Sequence, residues 1–235
     1  MARLARLYAP ATPQLARVIF ADALAQPADP TPADALDHLH DWLLKGVQEH
    51  RIALHGWVIL PDQLVLLATP PHASALSKTI QGIGRRMAMA QADKRPGPVF
   101  TGRYRSALVE PGRWVLPALV WLESLPTRLG HVDTPTRWPW SSAQEHVGQT
   151  TPRTALVTDH PDYWQCGNTP FARQANYKDH LQTGLTPATL TRIEAAVKGQ
   201  WVLGDEPFLS DISDRASRRV APAPRGRPRK TPLQD

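Results

Sequence analysis

Two apolar segments separated by three residues place the strongest constraint on how this chain folds. Ile52–Leu60 and Leu64–Thr69 are rich in Val, Ile and Leu, and Pro61-Asp62 between them favours a turn. Two strands this close along the chain predict an antiparallel β-hairpin. Further strands are predicted at Gln14–Ala23 and Tyr104–Glu110, where β-forming residues again dominate.

Apolar residues at helical spacing predict helices between these strands. The first runs from Thr31 to about His50, the second covers Ser74–Asp93, and the third covers Trp114–Leu125. The resulting order, β-α-β-β-α-β-α, is typical of an α+β fold with a ferredoxin-like split βαβ sheet and helices on one face. Because this fold has many functions, it does not by itself indicate one.

The C-terminal third predicts a helical extension followed by a disordered basic tail. Helices are expected at Phe171–Leu181 and Pro187–Val197, and Thr186 is placed to cap the second. From Asp214 onward Arg, Pro, Ala and Gly dominate, a composition that cannot build a core. The predicted division is therefore a sheet domain over 1–148, an extension over 149–213 and a tail over 214–235.

Cysteine content and the N-terminal segment indicate the compartment. The one cysteine, Cys166, excludes an internal disulfide and is too few for a cysteine zinc site, which is typical of a reducing environment. The sequence has no apolar run of signal-peptide length and none of the roughly 20 residues that a membrane helix needs. We expect a cytoplasmic protein without membrane contact.

Positive charge is concentrated at the C-terminus. Residues 215–235 carry seven basic side chains and one acidic one, which accounts for the whole net charge of +6. Within them, Arg225-Gly226-Arg227-Pro228, followed by Arg229 and Lys230, has the AT-hook pattern. Such a segment lies in the narrow, negative minor groove of A·T tracts. The alternative is an ordinary basic linker end with no defined partner.

Several landmarks resemble the single-tyrosine HUH transposases, in particular the REP-associated tyrosine transposases. They follow in the family's order over nearly the whole chain. The landmarks are Ala53–Thr69 (ALHGWVILPDQLVLLAT), Phe100–Val109 (FTGRYRSALV), Trp121–Gly130 (WLESLPTRLG), Trp138–Ser142 (WPWSS), His160-Pro161, Gly199–Phe208 (GQWVLGDEPF) and the RGRPRK ending. The resemblance implies an HUH-fold domain over 1–148, DNA as the partner and an activity in DNA transposition.

The same resemblance predicts that the catalytic residues have been lost. Family members place His-hydrophobe-His on the second hairpin strand to bind a divalent metal such as magnesium or manganese, and a later tyrosine attacks the phosphate. Here Gln63 and Val65 stand at the histidine positions and Trp121 stands at the tyrosine position. Val65 has no ligand atom, and indole has no nucleophilic oxygen. We therefore expect no cofactor and no cutting activity.

Four arginines are candidates for contacting DNA phosphates within the sheet domain. Arg103 and Arg105 alternate on a predicted strand and would face one side of the sheet, while Arg85 and Arg86 lie on the helix before it. The alternative for all four is a solvated charged face.

The expected partner is single-stranded hairpin DNA, AT-rich duplex DNA or both, in the nucleoid, and the protein could act as a homodimer. Two other functions stay open. One is an active endonuclease or transposase with relocated catalytic residues, and the other is a basic-tailed interaction module that binds RNA or an acidic protein.

Overall fold

The computed structural model of the protein describes residues 5–26, 28–91, 97–149 and 157–222. Its sheet has the strand order β2-β3-β1-β4, and every pair of neighbouring strands is antiparallel. The strands are β1 (Gln14–Ile19), β2 (Ala53–Leu60), β3 (Gln63–Thr69) and β4 (Arg105–Leu108). This arrangement confirms the predicted split βαβ sheet, with β1 and β4 shorter than their sequence patterns suggest.

Helices cover both faces of the hairpin. His40 on α1 (Ala33–Glu49), which packs beside α2 (Ala75–Gln91), has its ring 5.1 Å from that of Trp57. The neighbouring Gly56 points the other way, where a Cβ would lie 2.5 Å from Cδ2 of Leu119 on α3 (Val115–Glu123). The α+β class is confirmed, but the prediction of helices on one face is corrected: α3 covers the second face, because the hairpin strands are apolar on both sides.

The segment Trp138–Ser142 closes the free edge of β2. Trp138 Nε1 donates to the carbonyl of Ile59 at 2.9 Å, and the amide of Ile59 donates to the carbonyl of Trp140 at 2.9 Å. The amide of Ser142 donates to the carbonyl of Trp57, also at 2.9 Å. Open strand edges are sites of aggregation, so this segment protects the hairpin as well as packing on it.

The chain after α3 is helical, and two of its helices lie at the predicted segments 171–181 and 187–197. It contains α4 (Leu125–Arg128), α5 (Ala143–His146), α6 (Pro161–Trp164), α7 (Pro170–Thr183), α8 (Pro187–Gly199) and α9 (Glu206–Arg215). Helix α8 packs on β4 and β1, and the main hydrophobic core continues from the sheet into α7 and α8. The division between 148 and 149 stays a prediction. Within the described ranges no helix is both long and apolar enough to cross a membrane.

The start of the predicted disordered tail needs correction. Asp214 and Arg215 belong to α9, and Val220 is buried in a second apolar cluster with Val202 and Ile212. The side chain of Arg218 donates to the carbonyl of Ala5 at 2.6 Å. The described chain therefore continues to residue 222, because Val220 packs in an apolar cluster and Arg218 donates a hydrogen bond to the N-terminal segment. Residues 223–235 lie outside the described residues.

The cap of α8 predicted from sequence is present. Thr186 Oγ1 accepts a hydrogen bond from the amide of Thr189 at 3.2 Å. We expect Thr186→Ala to lower the free energy of unfolding by about 1 kcal/mol, since a terminal amide loses its acceptor. Thr191→Ala, on an exposed turn of the same helix, is the matched control with a smaller effect. Equal midpoints of urea unfolding for the two variants would contradict a capping role.

Candidate nucleic-acid interface

Gln63 and Val65 lie on the face of the sheet that α3 covers. Cross-strand partners share a face, and β3 pairs Leu67 with Gly56, Val65 with Val58 and Gln63 with Leu60. Since Gly56 faces Leu119 of α3, Val65 and Gln63 do too. Gln63 is only 2% exposed and Val65 is fully buried. The two positions therefore have the alternation that a paired ligand site requires, but they lie in the core.

Trp121 lies on the helix that covers this face. It is only 1% exposed, and the guanidinium of Arg128 lies 5.3 Å from its ring centre. Arg128 also donates to the carbonyl of Trp121 at 3.1 Å and pairs with Glu194 on α8 at 3.1 Å. The fold thus brings positions 63, 65 and 121 to one side of the sheet, and the side chains at all three positions are buried.

The residues at these positions do not fit a divalent metal. Val65 has no ligand atom, and Oε1 of Gln63 is buried without a hydrogen-bond partner among the described residues. The Gln63 side chain instead donates weakly to Asp62 at 3.4 Å. In the part of the chain that the structure describes, no group of three His, Cys, Asp or Glu side chains is arranged to hold a metal ion. We therefore assign no catalytic step to a metal here.

A basic groove lies between α2 and the segment before β4. It is open, measures about 1230 Å³, and is lined by Arg6, Arg85, Arg103, Tyr104 and Phe100 among others. The Arg6 guanidinium lies 3.6 Å from the Tyr104 ring centre, and the Tyr104 hydroxyl bonds Ser77 Oγ of α2 at 3.0 Å. Arginines beside aromatic rings are the combination that binds phosphates and stacked bases.

Burial lowers the pKa of Arg6, and the neighbouring charge of Arg103 lowers it further, against the opposing effect of Tyr104. The guanidinium nonetheless stays charged at neutral pH, because its ordinary pKa is far above 7. Two like charges held in one groove repel each other and favour a phosphate between them. Arg6 was missed in the sequence because the N-terminal segment has no regular pattern there.

The four predicted phosphate-binding arginines do not form one group. Arg85 and Arg103 line the groove, whereas Arg105 donates to the carbonyl of Lys198 on α8 at 3.0 Å. The expectation that Arg103 and Arg105 share one face is corrected, because β4 begins only at Arg105 and strand alternation does not reach Arg103. Arg86 is partly buried beside Gly82 and does not line the groove.

The tail candidates lie outside the described residues, so their placement stays a prediction. They are Arg225, Gly226, Arg227, Pro228, Arg229 and Lys230.

A buried polar cluster joins α3 to the C-terminal helices. Glu123 is fully buried, and its Oε1 accepts from Ser142 Oγ at 2.5 Å and from His146 Nδ1 at 2.6 Å. Its Oε2 accepts from the Tyr177 hydroxyl at 2.6 Å, while the Tyr163 hydroxyl donates to the carbonyl of His146 at 2.7 Å. Both tyrosines are therefore held inside the protein rather than exposed as nucleophiles.

These buried groups have shifted pKa values. Burial lowers the pKa of His146, but the Glu123 carboxylate outweighs this effect and raises that pKa above its usual value. Burial also raises the pKa of Tyr177, and Glu123 adds to the shift. No sequence signal pointed to Glu123, because it lies at the end of an apolar helix and its partners are 19 to 54 residues away.

The imidazoles of His55 on β2 and His160 pack against each other. His55 Nδ1 contacts the carbonyl of Thr158 at 2.7 Å, and its Nε2 contacts Thr69 Oγ1 at 2.8 Å. His160 lies edge-on to it with ring centres 4.9 Å apart. Burial lowers the pKa of His55 to about 4, so this ring is neutral at physiological pH and serves packing.

Comparison with known proteins gives a fold relationship. No protein-family model and no curated protein sequence matches the chain. The structure is similar to that of a REP-associated tyrosine transposase bound to a REP hairpin, with a TM-score of 0.54 and 17% sequence identity. The match covers 69% of this chain and 96% of that chain. The resemblance seen in the sequence is thereby confirmed at the level of the fold: this chain has the fold of a REP-associated tyrosine transposase.

Proposed function

We propose that this protein binds DNA with a transposase fold and does not cut it. The observation that carries the proposal is the basic groove of Arg6, Arg85 and Arg103 on a fold whose solved counterpart was bound to a REP hairpin. Arginine contacts to phosphates position a protein on DNA without reading sequence. The ligand that fits this surface best is a single-stranded hairpin, and the setting that follows is the nucleoid.

The proposed loss of cutting rests on three positions considered together. Gln63, Val65 and Trp121 replace the metal-binding and nucleophilic residues that the family resemblance implies, and all three are buried. Members of a catalytic set act as a unit, so losing one already costs orders of magnitude in rate. Burial adds a second obstacle, since a phosphate cannot reach a sealed position.

The tail is proposed as a second DNA contact. Arg225, Arg227 and Arg229 would lie in the minor groove of A·T tracts, beside the groove-bound hairpin. Glutamates at these three positions should abolish the preference for A·T duplex over RNA of equal length at matched salt. A protein that favours RNA, or that has no preference before the change, would fit a basic interaction module instead.

Homodimer formation stays a separate prediction, checked by light scattering.

The direct test incubates the full chain with labelled single-stranded hairpin DNA and magnesium or manganese. We expect a shifted band on a native gel, with neither cleavage nor a covalent adduct on a denaturing gel. The binding should weaken steeply with salt, because phosphate contacts release counterions. An adduct would establish an active endonuclease with relocated residues, and the absence of any shift would remove the DNA-binding proposal.

A further inference from the structure

The segment that follows α9 lies against the N-terminal segment of the protein. We call residues 216–222 the arm. Val220 of the arm is buried in the same apolar cluster as Leu7, and its carbonyl accepts a hydrogen bond from the amide of Val202 at 2.9 Å. These contacts fix the arm on the folded part, and the basic tail continues from its last residue, Pro222.

Arg218 holds the arm in this position. Its Nε donates to the carbonyl of Ala5 at 2.6 Å, and its Nη2 donates to the carbonyl of Gln200 at 2.5 Å. The guanidinium also lies 5.7 Å from the ring centre of Trp201. A planar guanidinium presents several donors in fixed directions. One arginine therefore joins the arm to the N-terminal segment and to the residues that follow α8.

The anchored arm lies close to the basic groove. Ala5, whose carbonyl accepts from Arg218, directly precedes Arg6, and Arg6 lines the groove. Leu7, which directly follows Arg6, belongs to the apolar cluster that contains Val220. The arm is therefore tied to the chain on both sides of a groove residue, and the tail leaves the folded part near the groove.

Chain length limits how far the basic residues of the tail can reach from this anchor. A fully extended chain spans at most about 3.6 Å per residue, so Arg225 lies within roughly 25 Å of Arg218 and Arg229 within roughly 40 Å. Duplex DNA rises about 3.4 Å per base pair, so these limits correspond to about 7 and 12 base pairs. The tail can therefore contact DNA that the groove holds only within about one helical turn.

The charge of the tail and its short connection favour binding to the same DNA molecule. Residues 223–235 carry Arg225, Arg227, Arg229 and Lys230 against Asp235. Joining two binding elements through a short linker makes the second binding event intramolecular, at a high effective concentration. Because the arm shortens the free connection to a few residues, the stem already held by the groove competes strongly against any second DNA molecule.

From this placement we infer that the arm makes the groove and the tail bind one DNA molecule, a hairpin with an A·T-rich stem, rather than bridge two DNA molecules. The inference rests on the proposed DNA-binding function and adds the class of DNA that is preferred. It also assigns a role to Arg218, which is a positioning residue because it fixes where the tail begins.

Fluorescence anisotropy with two labelled hairpins tests this inference, one with an A·T stem and one with a G·C stem of equal length. We expect the full chain to bind the A·T hairpin about tenfold or more tightly than the G·C hairpin. Insertion of about 40 Gly and Ser residues after Pro222 keeps every charge and every contact of the arm. Because effective concentration falls roughly as the −3/2 power of linker length, most of the A·T preference should be lost.

Substitution of Arg218 tests the anchor itself. Arg218→Ala frees the arm and lengthens the connection, so the ratio of the two affinities should fall severalfold. Arg215→Ala is the matched control, because it removes the same charge from an arginine of α9 that pairs with Asp211. That variant should leave the ratio unchanged. The ratio is the readout, since a general loss of stability would lower both affinities alike.

A capture experiment distinguishes one bound DNA molecule from two. Protein held on an immobilised A·T hairpin should retain little of a separate labelled A·T duplex, whereas the insertion variant should retain more. Strong retention by wild type, an A·T preference that survives the insertion, or equal binding of the two hairpins by wild type would overturn the inference while leaving the DNA-binding proposal intact. If wild type binds neither hairpin, the DNA-binding proposal fails and this inference fails with it.

Discussion

Replacing Glu123 by alanine is expected to lower the free energy of unfolding by about 3–5 kcal/mol, the usual cost of breaking a buried ion pair. The carboxylate holds Ser142, His146 and Tyr177 at once. Without it, the imidazole of His146 would have no hydrogen-bond partner among the described residues, because its Nε2 already lacks one. Urea unfolding followed by circular dichroism measures the loss.

A gentler variant keeps this prediction testable if Glu123→Ala does not fold. Tyr177→Phe removes one donor to Glu123 while preserving the ring, and should cost about 1–3 kcal/mol. Tyr8→Phe is the matched control, since its exposed hydroxyl donates to the carbonyl of Pro71 at 3.2 Å. A Tyr177→Phe variant as stable as the Tyr8→Phe variant would show that the cluster contributes little.

The buried cluster around Glu123 also makes the free energy of unfolding depend on pH, and the direction of that dependence can be predicted. The pKa of His146 is raised in the folded state, so its stabilising contribution is complete below the unfolded pKa of about 6.5. That contribution is lost as pH rises through the higher folded value. Asp159 and Glu145 act in the same direction as Glu123. Wild type should therefore lose more stability between pH 6 and pH 9 than His146→Gln does.

Reversing two groove charges, Arg85→Glu with Arg103→Glu, is expected to weaken hairpin DNA binding by roughly tenfold or more at low salt. Each lost phosphate contact also removes a released counterion, so the slope of log affinity against log salt should become shallower by about 1.5 to 2. Both arginines lie on the groove surface, and their removal leaves the core intact. Fluorescence anisotropy over a salt series measures both quantities.

The control for this pair must carry the same change in net charge. Lys45→Glu with Arg137→Glu alters two exposed residues outside the groove. The ion pair between Arg137 and Asp133 lies on the surface, where such pairs contribute little. We expect a small loss of DNA affinity, because the change in net charge weakens long-range electrostatic attraction. The slope of log affinity against log salt should stay almost unchanged. If the two double variants lose affinity equally, net charge rather than the groove governs binding, and the interface must be sought elsewhere.

The sequence by itself determined the sheet and its main helices. Strand and helix periods are local properties, so the hairpin around Pro61-Asp62 and the cap at Thr186 could be predicted from neighbouring residues alone. The proposed loss of catalytic chemistry rests on the identities of Gln63, Val65 and Trp121, since valine and indole lack the required atoms whatever surrounds them.

Tertiary structure alone decided which side chains meet. Arg6 joins Arg85 and Arg103 from positions 79 and 97 residues earlier in the chain. Arg105 instead contacts α8, and Glu123 bonds Tyr177 across 54 residues. The placement of Arg128 over Trp121 also depends on how α8 packs, because Glu194 on α8 pairs with that arginine. The physical reason is that periodicity gives the face of an element, whereas contact between elements depends on packing over the whole chain.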